Sequence, residues 1–313
     1  MPTNNPLDAL QRIVRSPRLR WTHDLELWVE VFACANLAIL AGDIYIAHSV
    51  NHFRRGAEFI PFYFSLAAPV VLIPCIGLRW MQHKRAPLRW TGFGIGWLAI
   101  LTGLGGVLYH LESSFFLDHT LKSLTYAAPF AAPLAYTGLG FLLLMNRLTD
   151  VRSAEWARWV LLLALGGFFG NLVLSLTDHA ENGFFLRTEW IPVISSAFAT
   201  GFLLVPLLTP VTRRFLDACC VVLALQAGVG ILGFWFHLRA NLIEPGYGLF
   251  EKLVNGAPPM APLLFPNLVA LAWIGLWALT PHLPESGSGQ LSGASWLGAA
   301  YAWANPSGNT PQS

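Results

Sequence analysis

Four histidines recur in two matched sets along this chain. His48-Ser49-Val50-Asn51 is followed, six residues on, by Glu58-Phe59-Ile60-Pro61. His179-Ala180-Glu181-Asn182 is followed at the same spacing by Glu189-Trp190-Ile191-Pro192, a constant offset of 131. Gly103-x-x-Gly106-x-x-Tyr109-His110 returns as Gly230-x-x-Gly233-x-x-Phe236-His237, at an offset of 127. Ala128-Pro129-x-x-Ala132-Pro133-Leu134 returns as Ala257-Pro258-x-x-Ala261-Pro262-Leu263, at 129. Three motifs repeated in one order point to a duplicated unit with two histidines in each copy.

Imidazole with carboxylate, and no thiolate nearby, is a ligand chemistry for iron, copper, zinc or manganese. His48-x-x-x-His52 puts two imidazoles one helical turn apart, provided the helix runs through both. Asp118-His119 and Asp178-His179-Ala180-Glu181-Asn182 add further ligands or orienting groups. The candidate metal ligands are His48, His52, His110, Asp118, His119, Asp178, His179 and His237. Glu112 and Glu181 are candidate catalytic carboxylates. Asp43 is a third, set inside an apolar run where a charge is costly, and so a candidate proton relay. Its counterpart is Leu174, so it is no part of the repeat. The competing reading is that these groups only hydrogen-bond or meet solvent, since duplication copies structural residues too.

The elements that position these groups are membrane helices. The chain is 55% hydrophobic and 12% charged, against about 25% charged in soluble domains. Apolar runs at about 28–50, 59–81, 91–110, 124–146, 157–177, 190–209, 215–237 and 260–281 each suit a span of a ~30 Å hydrocarbon core. In lipid such runs must be helical. The expected fold is an all-α integral membrane protein of about eight transmembrane helices in two parallel four-helix repeats. Residues 28–148 form the first repeat and 149–282 the second. An even number of helices per repeat gives both copies the same orientation, with a pseudo-two-fold axis along the membrane normal. Residues 1–27 read as a basic cytoplasmic segment with no cleavable signal, and 283–313 as a flexible cytoplasmic tail.

Thirteen Lys and Arg fall on the side of the termini and six on the other. Both termini are therefore expected in the cytoplasm, as in a bacterial inner membrane. Trp21, Trp28, Trp80, Trp90, Trp156 and Trp159 read as an inner aromatic belt. The duplicated histidines then fall at outer helix ends, where the four could converge or form two pairs. Cys34, Cys75, Cys219 and Cys220 make neither a C-x-x-C pair nor an outer cluster, which argues against a disulfide framework.

Nucleotide-binding fingerprints are lacking, and nothing points to nucleic acid. The clustered histidine boxes of membrane desaturases are not reproduced. The leading expectation is a membrane metalloprotein with an outward His/carboxylate centre in redox or oxygen chemistry. Its cofactor would be a transition metal (iron, copper or zinc) or a b-type haem held by two axial histidines. A metal-ion or proton-coupled transporter is the alternative. So is a non-catalytic subunit with other membrane subunits as partners, besides the lipid bilayer itself.

Overall fold

The computed structural model describes residues 24–82, 86–112, 115–125, 128–246 and 248–284. The basic segment up to residue 23, with Trp21, and the tail from 285 lie outside the described residues. The ordered elements are all helical. They are α1 (Leu25–Ser49), α2 (Phe59–Gln82), α3 (Ala86–Leu111), the short α4 (Phe115–Asp118) and α5 (Leu121–Thr125), and α6 (Leu134–Leu148). There follow α7 (Ala154–Glu181), α8 (Trp190–Leu208), α9 (Arg213–Ile243), the short α10 (Leu249–Asn255) and α11 (Leu264–Leu279). The protein is an α-helical integral membrane protein by the length and composition of these helices. Seven candidate spans are present among the described residues.

The expected run at 124–146 departs from the structure. Its helix starts only at Leu134 and has 15 residues, about 22 Å at 1.5 Å per residue. Pro129 and Pro133 explain the late start, because neither can donate the amide hydrogen bond that a helix interior requires. The chain instead turns through Pro129–Ala132 and Ala131–Leu134 backbone hydrogen bonds. At α9 the error runs the other way. The helix continues to Ile243, so His237 sits well before its end.

Side-chain caps fix where the helices enter. Asp24 accepts from the Leu27 amide, Ser153 from Trp156 and Thr212 from Phe215, satisfying amides that have no partner inside the helix. In the first half α1 packs on α2, α2 on α3, α3 on α6, and α6 back on α1. In the second half α7 packs on α8, α8 on α9, α9 on α11, and α11 back on α7. The halves meet through α6 against α7 and α11 against α1. The short helices cross over: α5 packs on α7, and α10 packs on α1.

Glycines permit the closest crossings. A Cβ on Gly103 would come within 2.8 Å of the Pro133 carbonyl, and one on Gly230 within 2.6 Å of the Pro262 carbonyl. Gly106 and Gly233 lie against the rings of the same two prolines. Both repeated glycine motifs are thus docking faces for the repeated prolines, as small residues are between membrane helices.

At the end opposite the histidines, the first half buries charge. Glu30 is 1% exposed and pairs with Arg147 at 2.7 Å. Asn146 donates to Glu30 at 2.7 Å and accepts from the Trp156 indole at 3.2 Å. Arg79 donates to Asp24 at 2.8 Å and to Glu26 at 3.0 Å. The same positions in the second half hold Leu161, Gly275 and Leu276 for Glu30, Asn146 and Arg147. Trp156 is buried in this contact, which removes it from the expected aromatic belt; Trp80 and Trp90 are exposed.

Candidate functional site

The H-x-x-N spacing is first of all a helix ending. The Phe53 amide bonds the His48 carbonyl at 3.2 Å, and the His52 amide bonds that of Ser49 at 3.1 Å. The Phe184 amide bonds the His179 carbonyl at 2.9 Å, and the Gly183 amide bonds that of Ala180 at 3.0 Å. This pair of bonds is a Schellman motif, whose next-to-last residue takes a left-handed backbone. His52 has φ 55° and Gly183 has φ 69°. The usual apolar contact of that motif is made by His48 on Phe53, with ring centroids 5.8 Å apart, and by His179 on Phe184 at 6.1 Å. Phe53 then stacks on Phe59, and Phe184 on Trp190.

His52 therefore does not lie on a helical face with His48. The helix ends at Ser49 and His52 is exposed, so the expected one-turn pair is not formed. The spacing reads as helical because nothing in the letters marks Asn51-His52 as a turn. Its counterpart Asn182-Gly183-Phe184 does carry that signal. The shared phenylalanine, Phe53 and Phe184, also at an offset of 131, extends the repeated motif.

The duplicated histidines of the first half form a pair. His48 and His110 have ring centroids 6.3 Å apart, edge to face. Glu58, which ends a 3-10 turn at the start of α2, places Oε2 3.7 Å from His48 Nδ1 and is felt by His110 as well. In the second half His237 lies within electrostatic range of His179. Glu189 ends the matching turn before α8. Glu58 Oε2 and Glu189 Oε2 are both buried without a hydrogen-bond partner, a costly state for a carboxylate oxygen.

The imidazoles are oriented by backbone. His110 Nδ1 is 2.9 Å from the Pro129 carbonyl, and His237 Nδ1 is 2.8 Å from that of Pro258. His179 Nδ1 lies 2.7 Å from the Ser175 carbonyl. A carbonyl only accepts, so Nδ1 carries the proton in all three. In a neutral ring Nε2 then presents its lone pair, the arrangement that fixes metal-ligating histidines. The repeated Ala-Pro motif thus supplies both the ring that meets the glycines and the carbonyl that aims the histidine.

The other candidates lie apart. Asp118 and His119 are exposed between α3 and α6, where Thr120 donates to Asp118 and His119 packs on Phe115. Glu112 is exposed and 3.8 Å from Arg55. Glu181 is exposed, while Asp178 is half-buried beside His179. Asp43 is half-buried in α1, close enough to Tyr136 for the two to interact. Tyr136 is buried, donates to the Pro61 carbonyl at 3.0 Å and touches Ser65. Leu174 and Phe265 replace Asp43 and Tyr136 in the second half. Gln226 accepts from Ser195 at 2.6 Å and joins α9 to α8. Among the described residues, no group of three or more His, Cys, Asp or Glu is disposed to hold a metal ion. Comparison with protein-family models, curated proteins and solved structures finds no match.

Proposed function

We propose that the protein is a duplicated eight-helix membrane protein, with a pseudo-two-fold axis along the membrane normal, that binds one transition-metal cation in each half. The identical ring of helix contacts in the two halves supports the duplication. The charge asymmetry of the sequence supports an outward-facing histidine end. The ligand sets are His48, His110 and Glu58 in the first half, and His179, His237 and Glu189 in the second. The observation that carries this reading is the buried glutamate oxygen that accepts no hydrogen bond in either half, with Glu58 beside His48 and the backbone-oriented His110 in the first and Glu189 at the repeated position in the second. A cation entering either cluster satisfies that oxygen and draws the three groups together. Two histidines and one carboxylate, with coordination positions left open, suit iron(II) and its oxygen chemistry, with zinc and manganese as competitors.

Elemental analysis and an optical spectrum of gently purified protein test this directly. The expected result is two equivalents of non-haem metal per chain, one after Glu58→Gln and none after Glu58→Gln with Glu189→Gln. Protein that stays metal-free when offered iron(II), zinc or manganese overturns the proposal. A haem spectrum replaces it with the two-axial-histidine version. Transport is the second reading, favoured by Asp43 beneath the first cluster alone. Cation uptake into proteoliposomes that fails in Asp43→Asn, while metal stoichiometry is unchanged, would support it.

A further inference from the structure

A groove runs along α8 in the second half. Ile194, Ala197, Phe198, Gly201 and Val205 line it from α8, and Phe215 from the first turn of α9. Its volume is about 570 Å³. From Ile194 to Val205 it descends about 16 Å at 1.5 Å per residue, roughly one leaflet of a ~30 Å hydrocarbon core. A Cβ on Gly201 would meet nothing within 4 Å, so the space is open to the surface. The matched positions on α2 hold Leu66 and Val70 where α8 has Ala197 and Gly201. The first half thus carries larger side chains at the matched positions, and both are exposed.

The first turn of α9, which gives Phe215 to the groove, is basic. Arg213 and Arg214 open α9 immediately before Phe215, and both are exposed. Arg213 shares its charge with Asp217 at 3.2 Å, while Arg214 makes no ion pair among the described residues. The first amides of α9 point the same way, beyond the one that Thr212 caps. An apolar trough that reaches Phe215, in the same first turn of α9 as two exposed arginines, complements a molecule with an acyl chain and a phosphate. We infer that this groove binds an anionic phospholipid, with one acyl chain along α8 and its phosphate at Arg213 and Arg214. Basic pockets between membrane helices recognise lipid headgroups by this combination. The site lies away from the histidine end and does not depend on what binds there.

Native mass spectrometry of the full-length protein, reconstituted with phosphatidylglycerol or phosphatidylcholine of the same acyl chains, tests the inference. Phosphatidylglycerol should be retained in preference, by about fivefold for each engaged arginine. Arg213→Gln with Arg214→Gln should erase the preference while leaving some binding of both lipids. Ala197→Leu with Gly201→Val installs the residue types that α2 already carries, and should reduce retention of both. Thermal midpoints matching the unsubstituted protein show that the variants are folded. Equal retention of the two lipids overturns the inference, as does undiminished retention with the groove filled. A groove-filling variant that turns a dimer into a monomer also overturns it, because the occupant is then a second copy of the chain.

Discussion

Glu30 and Arg147 form a buried ion pair whose replacement the protein itself has already performed in its second half. Removing one partner should be severe. Glu30→Leu leaves Arg147, whose side chain is 5% exposed, without its carboxylate, although the guanidinium still donates to the Arg89 carbonyl at 3.1 Å. Arg147→Leu leaves a carboxylate that is 1% exposed with Asn146 as its remaining donor. Uncompensated buried charges cost about 3–5 kcal/mol; Glu30→Leu belongs near the lower figure and Arg147→Leu near the upper. The double substitution reproduces Leu161 and Leu276, which share one core cluster and are 0% and 3% exposed. Asn146 stays satisfied there, donating to the Glu26 carbonyl at 3.0 Å and accepting from Trp156. Apolar replacement of a whole buried pair is often neutral or stabilising, so the double variant should fall within about 1 kcal/mol of the unsubstituted protein. Equilibrium unfolding in detergent micelles, followed by tryptophan fluorescence, measures all four corners of the cycle. Single variants near neutral, or a double variant as unstable as the singles combined, would refute the reasoning.

Further outcomes follow from the backbone and the close crossings. Gly103→Ala should destabilise by about 1–3 kcal/mol, because its Cβ meets the Thr137 amide and the Pro133 carbonyl, neither of which can rotate away. Gly105→Ala, with open space around it, should be neutral or stabilising by up to about 1 kcal/mol through helix propensity; matched thermal melts distinguish the two. His52→Gly should raise the thermal midpoint, since a left-handed backbone costs a non-glycine residue about 1 kcal/mol, and metal content should not change. Gly183→His is the mirror test and should lower stability by a similar amount.

The helical class and most helix positions were legible because lipid allows few alternatives to a continuous helix. The repeat was legible for the same reason that its meaning was not. His48-x-x-Asn51 recurs as a helix C-cap, Gly103-x-x-Gly106 as a crossing and Ala128-Pro129 as a turn. Each of these packing roles would be copied with or without a ligand. The pairing of His48 with His110 depends on α1 and α3 meeting at one end of the bundle, which no local pattern encodes. The role of Glu30 is not legible in the sequence because its partners Asn146 and Arg147 are more than a hundred residues away. The late start of α6 was encoded in Pro129 and Pro133, but their apolar neighbours continued the run.

The crossed short helices bear on how the protein is made. Tyr45, near the end of α1, packs against Phe250 of α10, and α10 begins only at Leu249 of a 313-residue chain. The first cluster therefore acquires its full surroundings only after nearly four-fifths of the chain has been synthesised, however early its own helices enter the membrane. Reciprocally, α7 acquires α5 from a half that is already inserted. The two halves therefore mature as one interlocked body rather than as two independent domains in sequence.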